Sequence, residues 1–139
     1  MAKKALARAG FAHLRKKALS YPGAFEDFPW GTPVYKVGAK IFLFLEVDAT
    51  GLSVTAKLPD TSGIALMLPN VEPTGYNLGR SGWVSATFGP DEEPPLRMLD
   101  ARMDESYRAV APRRLVARLD AAAPQAQGGA RRKPRRRER

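Results

Sequence analysis

Hydrophobic and polar residues follow two different periods along this chain, and the switches between them mark its elements. Ala7, Phe11, Leu14 and Ala18 recur at helical spacing, with Lys3, Lys4, Arg8, Arg15, Lys16 and Lys17 over much of the remaining surface, which predicts a helix over 2–20. Gly10 sits inside it at a cost of about 1 kcal/mol relative to alanine, so it marks either a close approach or a later helix start. After Pro22-Gly23 the period changes. Pro29 and Pro33 push their preceding residues away from α, and Gly31 between them takes positive φ without steric cost, so no helix crosses this corner. Val34, Tyr35 and Val37 favour a strand, Gly38-Ala39 a tight turn, and 40–45 a second strand. That second strand is apolar on both alternations, Ile41, Leu43 and Leu45 on one and Phe42 and Phe44 on the other, which reads as a central strand buried on both faces. Leu52, Val54, Ala56 and Leu58 then share one face of a third strand, completing an antiparallel meander over 34–58.

Past Pro59, Asp60 or Thr61 caps a short helix that runs to Leu68 and packs through Ile64, Met67 and Leu68. Residues 70–82 are loop-rich, punctuated by Pro73, Gly75, Gly79 and Gly82, and 83–88 form a fourth strand. Asp91, Glu92 and Glu93 followed by Pro94-Pro95 suit the start of a helix over 96–111, whose stripe is Leu96, Leu99, Met103, Tyr107 and Val110. Pro112 opens a last short helix over 113–119. The order predicts an α+β fold, an antiparallel sheet of four or five strands with helices packed on one face.

Composition sharpens this only in places. At 139 residues one domain is expected. The absence of cysteine excludes disulfides and thiolate metal sites, and the single histidine, His13, leaves no expected metal or cofactor site. No apolar run reaches the roughly 20 residues of a membrane span, and the first residues lack the apolar core of a secretory signal, so a cytoplasmic protein with no membrane partner is expected, taken as a monomer. The net charge of +9 is uneven: residues 121–139 hold seven of the 23 Lys and Arg but one of the 14 acids. The chain is therefore read as a mildly basic domain over 1–120 and a basic tail over 121–139, which has nothing to bury and is expected to be disordered.

No catalytic constellation stands out. Glu26 and Asp27 point to opposite faces if they lie in a strand, a poor acid–base pair, and Glu26 is expected to pair with a lysine of the meander. His13 faces away from its helix's apolar stripe, and no Gly-x-Ser-x-Gly elbow presents a serine. The stronger candidates are cations. Lys36 and Lys40 flank a two-residue turn and Lys57 lies on a neighbouring strand, so three ammonium groups on one sheet face are expected to hold phosphates. Arg80, in Gly79-Arg80-Ser81-Gly82, suits a bidentate phosphate grip. Trp30, Tyr76 and Trp83 suit base stacking, although core packing is the expected role of Trp30 and Trp83. Tyr107 is expected in the core, with Ser106 making a local hydrogen bond. In the tail, Arg131, Arg132, Lys133, Arg135, Arg136 and Arg137 suit sequence-independent phosphate contact.

Nine short matches occur in order: Pro22-Gly23, Glu26-Asp27, Gly31-Thr32-Pro33, Tyr35-Lys36-Val37, Lys40-Ile41-Phe42, Ala56-Lys57-Leu58-Pro59, Gly75-Tyr76, Gly82-Trp83-Val84 and Ser106-Tyr107. Through them the chain resembles the MmcQ/YjbR family of small bacterial proteins, over roughly 14–119. The resemblance implies a compact α+β fold similar to the CyaY-like, frataxin-like sandwich. It also implies DNA binding through a proposed double-wing surface, and it does not extend to the tail. The expectation is thus a non-enzymatic nucleic-acid-binding protein, with DNA rather than RNA as partner. The alternative is a protein-interaction or small-ligand module using 69–82 and the Trp30 corner, and a weaker third option is an enzyme of unassigned reaction.

Overall fold

The computed structural model describes residues 2–75 and 78–122. Helix α1 (Ala2–Ser20) is followed by strands β1 (Ala24–Asp27), β2 (Val34–Val37), β3 (Lys40–Asp48) and β4 (Gly51–Lys57). The one-turn helix α2 (Ser62–Ala65), strand β5 (Val71–Pro73), a 3-10 turn (Leu78–Ser81) and strand β6 (Trp83–Phe88) come next, then helices α3 (Leu96–Val110) and α4 (Arg113–Ala122). Among the described residues six strands form one antiparallel sheet in the order β1-β2-β3-β4-β6-β5. Helices α1 and α3 pack on β3 and β4 and on each other, so the helices cover one face of the sheet. This is the expected α+β architecture with two strands more than those read individually from the sequence.

The two extra strands are the edges. β1 is four residues long and carries Glu26 and Asp27; β5 is three residues long and ends in Pro73. Short, charged or proline-blunted strands are what sheet edges carry, and they lack the apolar alternation that marks an inner strand.

Alternation assigns the faces. Leu43, Leu45, Val54, Ala56, Val84 and Ala86 are buried and point toward the helices, where Leu14, Leu99 and Met103 join them. The register slips between Tyr35 and Lys36: Tyr35 pairs with Leu43 and Lys36 with Ile41, leaving Phe42 as an extra residue. Such a bulge turns two successive side chains toward one side. Phe42 therefore buries edge-on to Tyr21 (5.8 Å) and Tyr107 (5.2 Å) on the helix side, and does not share a face with Phe44 as simple alternation predicts.

Gly10 is a site of close approach. A Cβ there would lie 2.7 Å from Cγ of Pro94. Ser106, fully buried, is not a local cap: its hydroxyl donates to the Phe42 carbonyl and accepts the Lys57 amide at 2.9 Å, tying α3 to β3 and β4. The expected packing face of the short helix is not one. Ile64, Met67 and Leu68 are exposed and Ala65 is buried in their place, because the helix is a single turn. No helix among the described residues is long and apolar enough to cross a membrane.

Candidate functional site

The face of the sheet opposite the helices is built from residues of the other alternation. Phe44 and Glu46 on β3 pair with Thr55 and Ser53 on β4, and Thr55, Ser53 and Lys57 pair with Ser85, Thr87 and Trp83 on β6. Phe44 and Trp83 meet edge to face at 5.6 Å. The corner before β2 folds onto this floor. The Asp27 carboxylate accepts the Phe28 amide at 2.9 Å, Gly31 takes φ +87°, and the Leu45 amide donates to the Pro33 carbonyl at 3.3 Å. These contacts set Trp30 nearly parallel to Phe44, at 17° with ring centroids 6.3 Å apart. Trp30 is nevertheless 69% exposed, so it walls the surface and does not anchor the core. Trp83 is buried as expected, but on this face.

Beside Trp30 and Phe44 lies a pocket of about 590 Å³, lined by these two and by Glu46, Thr55, Thr74 and Leu78 among others. Its polar groups are chiefly hydroxyls. Thr55 and Ser85 are 2.9 Å apart at their oxygens, and Ser85 and Thr74 3.0 Å, so three hydroxyls form a chain across β4, β6 and the segment after β5. The Glu46 carboxylate is exposed and has no hydrogen-bond or ion-pair partner among the described residues. The sequence signal for this pocket was the run of Ser53, Thr55, Ser85 and Thr87 on alternate positions of two inner strands, opposite the apolar alternation.

The expected cationic cluster is not assembled. Lys36 is on the open face but its ammonium lies 3.2 Å from the Asp27 carboxylate and over the Phe25 ring. The Phe28 amide and then the Lys36 ammonium hold the Asp27 carboxyl below its ordinary range. Lys40 pairs with Val37, one position out of phase with the Lys36–Ile41 pair, so it leaves from the other face. Lys57 is on the open face beside Trp83, and Arg80 is exposed in the 3-10 turn. The strands bring Lys36 and Lys57 to this face together with Asp27, Glu46 and Glu72, so its charges offset one another. Tyr76, Arg131, Arg132, Lys133, Arg135, Arg136 and Arg137 lie outside the described residues.

Glu26 and Asp27 do point to opposite faces, but their partners differ from those expected. Glu26 reaches the helix side, where the Arg15 guanidinium donates to it twice (2.8 and 3.0 Å) and the Tyr35 hydroxyl once (2.8 Å). The Arg15 hydrogen bond holds its carboxyl below the ordinary range. His13 lies 3.0 Å from the Asp100 carboxylate, linking α1 to α3. Among the described residues no group of three or more His, Cys, Asp or Glu is placed to hold a metal ion.

Comparisons with known proteins agree with this architecture. No curated protein matches the chain. The crystal structure of a Deinococcus radiodurans protein with a DUF419 domain is similar, with a TM-score of 0.63 and 23% identity, covering 87% of this chain and 94% of that one. The family described as YjbR matches residues 19–109, which takes in every strand and most of α3. The chain belongs to the YjbR family.

Proposed function

We infer that this is a non-enzymatic binding protein whose open sheet face receives a small, uncharged ligand with flat faces. The observation that carries this is a pocket of about 590 Å³ lined by Trp30 and Phe44, with Trp83 packed edge-on against Phe44 as its support. A concave apolar site with a few polar groups at its floor is the usual form of a small-molecule site. An exposed tryptophan held over a second ring supplies area at little cost in conformational entropy. The offsetting charges of this face support a neutral ligand over a phosphate backbone.

The test is the binding of a neutral naphthalene-type dye, followed by its fluorescence. The wild-type chain binds it, and Trp30→Ala weakens binding at least tenfold. Because Trp30 is mostly exposed, the same substitution changes unfolding stability by only about 0.5 kcal/mol. Equal dye affinity in the two proteins would refute the site.

A second reading concerns the C-terminal part. Arg113, Arg114 and Arg118 are exposed on α4 and have no ion-pair partner among the described residues, and α4 leads toward the basic tail. This supports sequence-independent contact with nucleic acid through α4 and the tail, separate from the sheet face.

A further inference from the structure

We propose that the open-face pocket takes a planar heteroaromatic ring of nucleobase type, one that carries both an N–H donor and a carbonyl or ring-nitrogen acceptor. The inference rests on the reading of that face as a ligand site and adds the chemistry of the ligand. Three features carry it together.

The first is the shape of the apolar wall. Trp30 lies nearly parallel to Phe44, and Trp83 stands edge-on behind it. Of these three rings Trp30 and Phe44 line the pocket, and a flat ring gains from stacking on such faces where a branched aliphatic chain gains area alone.

The second is the hydroxyl chain. Thr55, Ser85 and Thr74 own three O–H protons, and the two contacts between them consume two. One proton is therefore left over. Run head to tail in either direction, the chain leaves one end to donate outward and the other to accept; with both threonines donating to Ser85, the spare proton is that of Ser85. Thr55 and Thr74, the two ends, both line the pocket. A ligand with an acceptor on its edge selects the head-to-tail arrangement in which the threonine it meets donates to it.

The third is Glu46. It lines the same pocket and pairs with Ser53, one step along the sheet from the Phe44–Thr55 pair. By strand geometry its Cα stands roughly 8 Å diagonally from that of Thr55. An ionised carboxylate accepts only, so it selects a ring N–H or amino group. Donor and acceptor are therefore offered at two separated points of one pocket beside the Trp30 and Phe44 rings, which suits the hydrogen-bonding edges of a purine or pyrimidine.

Adenosine, guanosine, cytidine and uridine are titrated against the full chain loaded with the neutral naphthalene dye, in wild type, Thr55→Val and Glu46→Gln. At least one nucleoside is expected to displace the dye. Each substitution is expected to weaken that nucleoside roughly tenfold more than it weakens the dye, the effect of one lost hydrogen bond. Glu46 is exposed, so Glu46→Gln keeps the test open if Thr55→Val fails to fold. A dye that binds and that no nucleoside displaces overturns this inference and leaves the ligand site standing. The same holds if the substitutions weaken dye and nucleoside equally. A chain that binds neither dye nor nucleoside overturns both.

Discussion

Ser106 shows how much one side chain decides here. It is fully buried, and its hydroxyl satisfies the Phe42 carbonyl and the Lys57 amide at once. Alanine at this position leaves both backbone groups without a partner, and a buried orphan group costs about 1–3 kcal/mol. Ser106→Ala is therefore expected to lower the unfolding free energy by about 2 kcal/mol in urea titrations, with an unchanged m value; a loss below about 0.5 kcal/mol would contradict the role. Arg102 is the opposite case. One guanidinium nitrogen is buried without an acceptor, and burial lowers the pKa of the group. Glu105, its nearest acid on the helix, spends its carboxylate on the Asp60 and Thr61 amides and the Thr61 hydroxyl. Arg102→Met keeps the aliphatic packing and removes the unpaired donor, so a gain of about 1 kcal/mol is expected by the same titration. A loss would show that the guanidinium has a stabilising partner.

At the scale of elements, α1 is held by two devices. Gly10 lets it press on Pro94, and Arg15 reaches β1 through Glu26. Gly10→Ala adds about 1 kcal/mol of helix propensity, but the new methyl meets a rigid ring at 2.7 Å; the net change in thermal unfolding is expected to be destabilising. Glu26 has a depressed folded-state pKa, so its contribution is present above the unfolded carboxylate value of about 4.3 and is lost as pH falls through the lower folded value. Glu26→Gln should be less stable than wild type at pH 7, and the difference should close as both are acidified to about pH 2. A constant difference would place the effect in packing. The inner elements were legible because their periods are unmixed: α1, β4, β6 and α3 lie where their apolar alternation or stripe predicts. The bulge at Phe42 was not, since one extra residue in an apolar run leaves no mark on its hydropathy. The site was half legible. The Trp30 corner and the 69–82 region do border the pocket, but the open face of β4 and β6 reads as plain Ser and Thr until the register sets those hydroxyls side by side.

At the scale of the whole molecule, charge and aromatic surface are separated. The sheet face offsets its own charges and gathers its rings, while exposed arginines lie on α4 ahead of the seven basic residues of 121–139. If those seven meet phosphates on duplex DNA, the slope of log affinity against log salt is about −6. A chain ending at Ala122 is expected to lose most of that slope, measured by fluorescence anisotropy across a salt series. Retention of the full slope would move the phosphate contacts into the folded body, and Lys57→Ala and Arg80→Ala would then each remove about one unit.

Ligand entry through the sheet face leaves a mark that can be mapped residue by residue. Backbone amide shifts of the uniformly labelled full chain, followed by NMR during titration with the neutral dye, locate the contact directly. Saturable shifts are expected at Phe44–Glu46, Ser53–Thr55, Thr74 and Ser85, with the Trp30 indole N–H among the largest. Shifts confined to α1, α3 and α4, or none at saturating dye, would contradict it.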